Sequence, residues 1–310
     1  MIRPGELLER VRARDPRAIG RAISMVENGT EGARALLGAL DEEGEGSANI
    51  LGITGPPGSG KSTLTNQLIA HYRRAGQRVG VIAVDPSSPV HQGALLGDRV
   101  RMMQHATDPE VVMRSMAARS KLGGLSFAAR AAAQILDCAG CQTILIETVG
   151  VGQTEMDVAR TADLTALVLA PGLGDDIQAM KAGLIELVDI LVINKSDRPG
   201  ADLLLADMEM LAHETGQQVC SACALEGKGI ESLAAAADRL FQQQRDDGTR
   251  DQQRRAARDG EVLDRATEQA RQQLASLMKH LPAQDGHRFQ RADRLLQELC
   301  KKIQNDHGHE

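Results

Sequence analysis

The stretch GPPGSGKST, which directly follows the apolar run NILGIT, constrains the fold more than any other part of the chain. It matches the pattern G-x-x-x-x-G-K-[ST], with Gly55, Gly60, Lys61 and Ser62 in the required places. Glycines allow backbone N–H groups to close around a phosphate at the positive end of a helix. We therefore expect a phosphate-binding loop between a strand and a helix, although a plain glycine-rich turn is the alternative interpretation.

The residues of this loop have separate expected roles. Lys61 is placed to bridge the β- and γ-phosphates of a nucleotide, and the Ser62 hydroxyl is placed to ligate Mg²⁺. The predicted phosphate-binding residues are Gly55, Pro56, Pro57, Gly58, Ser59, Gly60, Lys61, Ser62 and Thr63.

Short apolar segments alternate with helical stretches from Ile50 to about Leu240, which predicts an α/β domain with a doubly wound, mostly parallel sheet. The predicted strands are ILGIT, RVGVIAV, TILIE, LTALVLA, DILVIN and QVCS. The predicted helices begin near Lys61, Gly124, Thr154, Ile177, Ala201 and Ile230. The predicted divisions are an N-terminal helical segment at 1–47, the sheet domain at 48–242 and a helical C-terminal extension at 243–310.

The last predicted helix is amphipathic. Its apolar positions are Phe289, Ala292, Leu295, Leu296, Leu299 and Ile303. This face needs a partner surface, so it either packs on its own domain or belongs to an arm that builds a homodimer.

The sequence Glu147-Thr148-Val149-Gly150 ends the predicted strand QTILI. An acid at the carboxyl end of a parallel strand beside the phosphate loop is suited to hold Mg²⁺ through water. Gly150 has no Cβ, so its amide can approach a γ-phosphate. Hydrolysis would release that contact, which predicts that the following loop is a conformational switch.

The sequence Asn194-Lys195-Ser196-Asp197 predicts which base is bound. The Asp197 carboxylate can accept hydrogen bonds from N1–H and the 2-amino group of guanine, whereas adenine offers neither donor. Lys195 can cover the ring face, and Asn194 can tie this loop to the phosphate loop. An ordinary strand-ending turn is the alternative. Together, these elements predict a P-loop GTPase domain that binds GTP and GDP with Mg²⁺.

Composition argues against several other classes of protein. The formal net charge is -6, and the chain has no Trp, one Tyr and three Phe, so a nucleic-acid interface is not expected. No apolar run is long enough to span a membrane, and the sequence MIRPGELLER lacks the apolar region of a signal peptide. We therefore expect no membrane partner and a cytoplasmic location.

Two C-x-x-C pairs, Cys138 with Cys141 and Cys220 with Cys223, suggest a zinc site as an alternative use of these segments. The first pair lies between a predicted helix and a predicted strand, and the second surrounds the end of another strand. Four-cysteine coordination would require two separate sheet connections to meet, so we favour small apolar packing residues.

These motifs resemble the MeaB/ArgK-type GTPases, which serve as chaperones of cobalamin-dependent acyl-CoA mutases such as methylmalonyl-CoA mutase. The resemblance covers roughly Leu7 to Leu240. It rests on the segments DPRAIGRAISMVENG, GITGPPGSGKST, VIAVDPSSP, GDRVRM, IETVGVGQTE, PGLGDDIQAMKAG and VINKSD.

The resemblance implies further site residues. Asp85 and Asp98 would join Ser62 and Glu147 around Mg²⁺, and Arg101 would approach the phosphates. Segments 85–101 and 147–157 would be the first and second switches. A third switch, 172–181, would carry the nucleotide state to the mutase. Its candidate residues are Asp175, Asp176 and Lys181, which composition alone would assign to solvated helix-start charges.

The resemblance also places a loop that contacts guanine O6 through backbone amides in VCSACALEGKGI. Spacing favours Cys223 and Ala224 for this role, although Ser221 and Ala222 are the more usual residue types.

The expected function is a slow GTPase that gates cofactor loading, protection or release in the mutase. Expected catalytic residues are Lys61, Glu147, Arg101 and Gln153; Gln153 either orients water or packs as a loop amide. One alternative is a GTP- or ATP-dependent kinase of a transport system, and another is a metal-inserting GTPase of the nickel-chaperone type.

Overall fold

The computed structural model describes residues 4–30, 32–42, 44, 46–85, 103–105, 107–117, 125–148, 154–173, 182–279 and 288–307. The strands are β1 (Asn49–Thr54), β2 (Val79–Asp85), β3 (Val111–Ala117), β4 (Thr143–Thr148), β5 (Leu164–Leu169), β6 (Ile190–Ile193) and β7 (Gln218–Ser221). The helices are α1 (Pro4–Arg12), α2 (Pro16–Glu27), α3 (Ala33–Glu42), α4 (Lys61–Arg74), α5 (Leu125–Cys138), α6 (Thr154–Thr161), α7 (Ala182–Ile185), α8 (Ala201–Thr215), α9 (Ile230–Asp246), α10 (Thr249–Met278) and α11 (Arg288–His307).

The strands form a parallel sheet in the order β3-β2-β4-β1-β5-β6-β7. The predicted doubly wound α/β fold is confirmed, because the strand order reverses on either side of β1. In such sheets, ligands bind beyond the carboxyl ends of the strands at this reversal. The phosphate-loop sequence follows β1 directly and is therefore at the expected position.

Hydrophobic residues cover both faces of the sheet. In β4, Ile144 and Ile146 belong to a cluster that includes α2, α3 and α5, whereas Leu145 belongs to a second cluster with α4 and α9. This explains why β4 is apolar at successive positions, as strands of a covered parallel sheet are. The N-terminal helices share the first cluster with the sheet, and the Asp15 carboxylate caps the start of α2 by accepting from the amides of Arg17 and Ala18.

Strand β3 was not among the sequence-based predictions. Its sequence, VVMRSMA, places Arg114 in the middle of the strand and therefore lacks a continuous apolar run. In the described sheet it is one of the two edge strands and pairs with β2. The Arg114 guanidinium donates to Glu27 of α2 at 2.9 Å, so a helix packed on the sheet provides the partner for this charge.

The chain divides into two compact units, Met1–Arg255 and Ala256–Glu310. The residues that are predicted to bind the nucleotide all belong to the first unit. In the second unit, α11 covers the segment for which an amphipathic helix is predicted. Of the helices in the described ranges, none has the combination of length and hydropathy that crossing a bilayer requires.

A buried ion pair fastens the beginning of α10 to the sheet. The Arg254 guanidinium contacts both carboxylate oxygens of Asp163 at 2.7 Å and donates to the carbonyl oxygens of Gly46 and Ala48. The side chains of Arg254 and Asp163 are only 11% and 3% exposed. The Asp163 carboxylate also accepts from the Ile50 amide at 2.9 Å, so it joins α10 to the first strand.

Replacing Arg254 with alanine is expected to lower the free energy of unfolding by about 3 to 5 kcal/mol, because a buried carboxylate loses its cation. Equilibrium urea unfolding measures this change. Arg255→Ala is the matched control, since Arg255 is exposed in the same helix and should change stability by less than about 0.5 kcal/mol. Equal effects of the two substitutions would contradict the importance of the ion pair.

Candidate functional site

The loop between β1 and α4 requires glycine at two positions. Gly55 has φ +140°, and a Cβ there would lie 2.2 Å from the carbonyl oxygen of Val168. Gly60 has φ +95°, and a Cβ there would lie 2.3 Å from the Nδ2 atom of Asn194. These glycines therefore allow the turn itself, and they also let Val168 of β5 and Asn194 after β6 lie close to the loop.

The Lys61 ammonium group lies inside this loop. Lys61 is 5% exposed, and its Nζ donates to the carbonyl oxygens of Gly55 and Pro56 at 2.7 and 2.9 Å. The buried Ser59 hydroxyl has no hydrogen-bond partner among the described residues. A buried cation, an unsatisfied hydroxyl and the N-terminus of α4 are suited to surround a phosphate group.

Ser62 and Glu147 meet beside the phosphate loop. The Ser62 hydroxyl donates to Oε1 of Glu147 at 2.5 Å, and Glu147 is 6% exposed. Glu147 is opposite Ile53 of β1 and Ala83 of β2, so it lies between the strand that enters the phosphate loop and the strand that ends at Asp85.

The oxygen atoms of Ser62 and Glu147 fit Mg²⁺. Hydroxyl and carboxylate oxygens are the ligands that this hard cation prefers. A bound cation would replace the hydrogen bond between the two side chains and offset the cost of burying the Glu147 carboxylate.

Asn194 connects the predicted base-binding loop to the phosphate loop. Asn194 is 2% exposed; its Nδ2 donates to the Ser59 carbonyl at 2.8 Å, and its Oδ1 accepts from the Ala224 amide at 3.0 Å. The next residue, Lys195, has φ +58° and donates through Nζ to the Gly58 carbonyl. A left-handed backbone is uncommon for lysine and costs energy, so the packing around this loop must hold it in place.

Asp197 is an exposed carboxylate that is held by a buried thiol. The Cys223 thiol donates to Oδ1 of Asp197 at 3.1 Å. This hydrogen bond is the main reason that the pKa of Asp197 is lowered from its ordinary value, and it also raises the pKa of the Cys223 thiol. The pair therefore consists of an ionised acceptor and a protonated donor near neutral pH.

The amides of the predicted guanine loop have different partners. The Cys223 amide donates to the Lys228 carbonyl at 3.0 Å, and the Ala224 amide donates to Asn194 as described above. Within the described loop, the Leu225 amide has no acceptor. Guanine O6 would therefore have to share the Ala224 donor or accept from Leu225, and the assignment to Cys223 and Ala224 stays a prediction.

Several predicted site residues cannot be placed. The backbone of Asp85 ends β2, but its side chain is not described. The following predicted residues lie outside the described ranges: Asp98, Arg101, Gly150, Gln153, Asp175, Asp176 and Lys181.

The two C-x-x-C pairs lie at separate places in the sheet. Cys138 ends α5 and Cys141 precedes β4, whereas Cys220 lies in β7 and Cys223 follows it. Strands β1, β5 and β6 separate β4 from β7. No group of three or more His, Cys, Asp or Glu side chains could hold a metal ion in the part of the chain that is described.

Sequence analysis missed two groups near the site. It considered the backbone of Cys223 as a donor to guanine and its thiol as a zinc ligand or a packing group, but not the bond of the thiol to Asp197, which depends on two loops meeting. It also did not single out Glu155, in the first turn of α6. Burial raises the pKa of Glu155, while the positive charge of Lys61 acts in the opposite direction. Its position at the end of ETVGVGQTE was the only available signal.

Comparison with family models gives a match to "Methylmalonyl Co-A mutase-associated GTPase MeaB" over residues 19–280. A protein of Pyrococcus horikoshii is 54% identical over 205 residues, which are 66% of this chain and 64% of the relative. The chain therefore spans less than two thirds of that relative's length.

Two further relatives extend the comparison. GTPase ArgK of Escherichia coli is 35% identical over 241 residues, 74% of this chain and 73% of the relative. The mouse mitochondrial methylmalonic aciduria type A homolog is 40% identical over 158 residues, 51% of this chain and 38% of the relative.

Among solved structures, a LAO/AO transport system kinase superposes with a TM-score of 0.70. The two sequences are 25% identical, and the match covers 97% of each chain. The similarity therefore extends over nearly the whole length of both proteins.

Proposed function

Because this chain belongs to the family of methylmalonyl-CoA mutase-associated GTPases, we propose that it hydrolyses GTP to GDP and phosphate. The main support is the Asn194 side chain, which donates to Ser59 in the phosphate loop and accepts from Ala224 in the predicted guanine loop. One buried amide thus fixes the distance between the predicted phosphate site and the predicted base site.

The described residues have distinct roles in the proposed reaction. Lys61 exchanges its bonds to the Gly55 and Pro56 carbonyls for phosphate oxygens and stabilises charge that develops during transfer. Ser62 and Glu147 would hold Mg²⁺, which neutralises phosphate charge when it is bound. Water forms the new bond to the γ-phosphorus while the bond to the β,γ-bridging oxygen breaks, and GDP leaves. Arg101 and Gln153 stay predictions as catalytic residues.

We further propose that hydrolysis is slow and acts as a conformational signal. Bound GTP would order the first and second switches, 85–101 and 147–157, and hydrolysis would release them. The third switch, 172–181, would carry this change to the partner. Glu147 supports the proposal because it begins the second switch while its side chain contacts Ser62.

The proposed partner is a cobalamin-dependent acyl-CoA mutase, either methylmalonyl-CoA mutase or a close relative. The family description names association with that mutase. The GTPase would gate loading, protection or release of the mutase's cofactor. It would act in the cytoplasm as a homodimer built by the C-terminal helices, without nucleic acid or a membrane.

Phosphate release from GTP, measured with and without purified methylmalonyl-CoA mutase, tests this proposal. We expect slow release from the chain alone and at least about tenfold faster release with the mutase, since partner binding can complete a catalytic site. Lys61→Ala should abolish both rates and so exclude a contaminating hydrolase.

The possible results separate the parts of the proposal. If the rate of GTP hydrolysis is the same with and without the mutase, the mutase does not regulate this chain, but the proposed GTPase activity still holds. GTP consumption that requires an acceptor and yields a phosphorylated product would instead establish the kinase alternative.

A further inference from the structure

The backbone of Cys223 is fixed at both of its hydrogen-bonding groups. Cys223 and Lys228 form an antiparallel bridge in which the Cys223 amide donates to the Lys228 carbonyl at 3.0 Å. The Lys228 amide donates back to the Cys223 carbonyl at 3.2 Å. This bridge closes the loop, so the backbone from which the Cys223 side chain extends is held in place.

The two cysteines of this segment have different surroundings. Cys220 belongs to the hydrophobic cluster that the sheet forms with α4 and α9, together with Ala222 and Ala224. The thiol of Cys223 instead donates to the Asp197 carboxylate at 3.1 Å. Cysteine is a weak donor, and an ionised acceptor strengthens such a bond. Packing therefore accounts for Cys220, whereas Cys223 makes a specific polar contact.

The contact brings together the two loops that would enclose the base. The Ser196 amide donates to the Ala222 carbonyl at 3.1 Å, so the loops are already joined through their backbones next to the thiol. Asp197 itself is exposed, and an exposed carboxylate that lacks such a bond can rotate among several orientations. Holding one orientation before binding reduces the entropy that binding would otherwise cost.

We propose that Cys223 is a positioning residue for base selection, whose thiol holds the Asp197 carboxylate ready to accept the N1–H and 2-amino groups of guanine. This inference rests on the proposed GTPase function. Oδ1 has a second lone pair and Oδ2 is not used by the thiol, so the carboxylate keeps enough acceptor capacity for both guanine donors. The thiol acts through Asp197 and does not itself contact the base.

The test compares the dissociation constants for GDP, IDP and ADP, measured by isothermal titration calorimetry with Mg²⁺ present. The hypoxanthine base of IDP lacks the 2-amino group and can make only one of the two hydrogen bonds to Asp197. Cys223→Ala should weaken GDP binding by about three- to tenfold, the range expected for one hydrogen bond. The affinity for IDP should fall less than the affinity for GDP, and the affinity for ADP should hardly change. The ratio of the IDP dissociation constant to the GDP dissociation constant should therefore fall.

Three other variants distinguish positioning from packing. Cys223→Ser keeps a donor and should retain the wild-type ratio within about twofold. Cys223→Val fills the space without a donor and should lower the ratio as Cys223→Ala does. The valine variant therefore serves as the test if the alanine variant does not fold. Cys220→Ala is the matched control and should lower thermal stability without changing the ratio.

Two results would overturn different conclusions. An unchanged ratio of IDP to GDP dissociation constants in folded Cys223→Ala or Cys223→Val would refute the positioning role. A wild-type protein with no preference for guanine would instead refute the proposed nucleotide, and therefore the function on which this inference rests.

Discussion

Replacing Asp197 with asparagine is expected to weaken GTP and GDP binding by about 100-fold or more, because one of the two hydrogen bonds from guanine is lost, the other loses its charged acceptor, and two donors are brought face to face. The asparagine side chain can accept from N1–H, but its amino group would face the 2-amino group of guanine. Xanthine has an oxygen at that position, so XDP should bind the variant more tightly than GDP. Competition binding with GDP, XDP and ADP measures this change in selectivity.

The control for this variant is Asp202→Asn. Asp202 is an exposed acid in the first turn of α8 and is only five positions further along the chain. Its substitution should leave all of these affinities within about twofold, as is usual for surface changes. If Asp197→Asn kept the wild-type preference for GDP, the assignment of Asp197 to base recognition would be wrong.

Replacing Glu147 with glutamine is expected to lower kcat for GTP hydrolysis by about 100-fold, as removal of a single electrostatic group at a reacting centre commonly does. Glu147 is buried and accepts from Ser62, so the neutral side chain can keep the local packing and one hydrogen bond. It cannot supply the negative charge that attracts a divalent cation. The Mg²⁺ concentration for half-maximal rate should therefore rise, while GDP binding without Mg²⁺ should change by less than about threefold.

Measured rates across a Mg²⁺ titration test this expectation, with Glu231→Gln as the control. Glu231 is an exposed acid in the first turn of α9, so its substitution should leave both kcat and the Mg²⁺ midpoint unchanged. An unchanged midpoint in Glu147→Gln would remove Glu147 from the proposed cation site, even if the rate fell.

The strand, turn and helix around the phosphate-loop motif could be predicted from the sequence because their requirements are local. Gly55, Gly60, Lys61 and Ser62 are fixed by the conformation of a single turn and the beginning of one helix. The apolar segments around them also correspond to strands in the described sheet. Strand β3 was missed because the charge of Arg114 is compensated by Glu27, which belongs to a helix far away in the sequence. The pattern of apolar residues along the chain gives no information on this contact, so the strand could not be predicted from it.

The contacts of the base loop were harder to predict. Asn194 was expected to reach the phosphate loop, and in the structure its side chain donates to the Ser59 carbonyl of that loop. Its second bond, to the Ala224 amide, and the thiol of Cys223 were not expected in these roles. Both depend on how closely the loops after β6 and β7 approach each other.

The sequence by itself determined the type of fold, the phosphate-loop motif and the residues expected to recognise guanine, because each depends on short spacing and residue type. Only the tertiary structure decided that Ser62 contacts Glu147, that Asn194 joins two loops and that Cys223 holds Asp197. The partners in each pair lie in, or on the segments that follow, different strands of one parallel sheet. Strand order and register bring their side chains together, and neither property can be read from residue spacing along the chain.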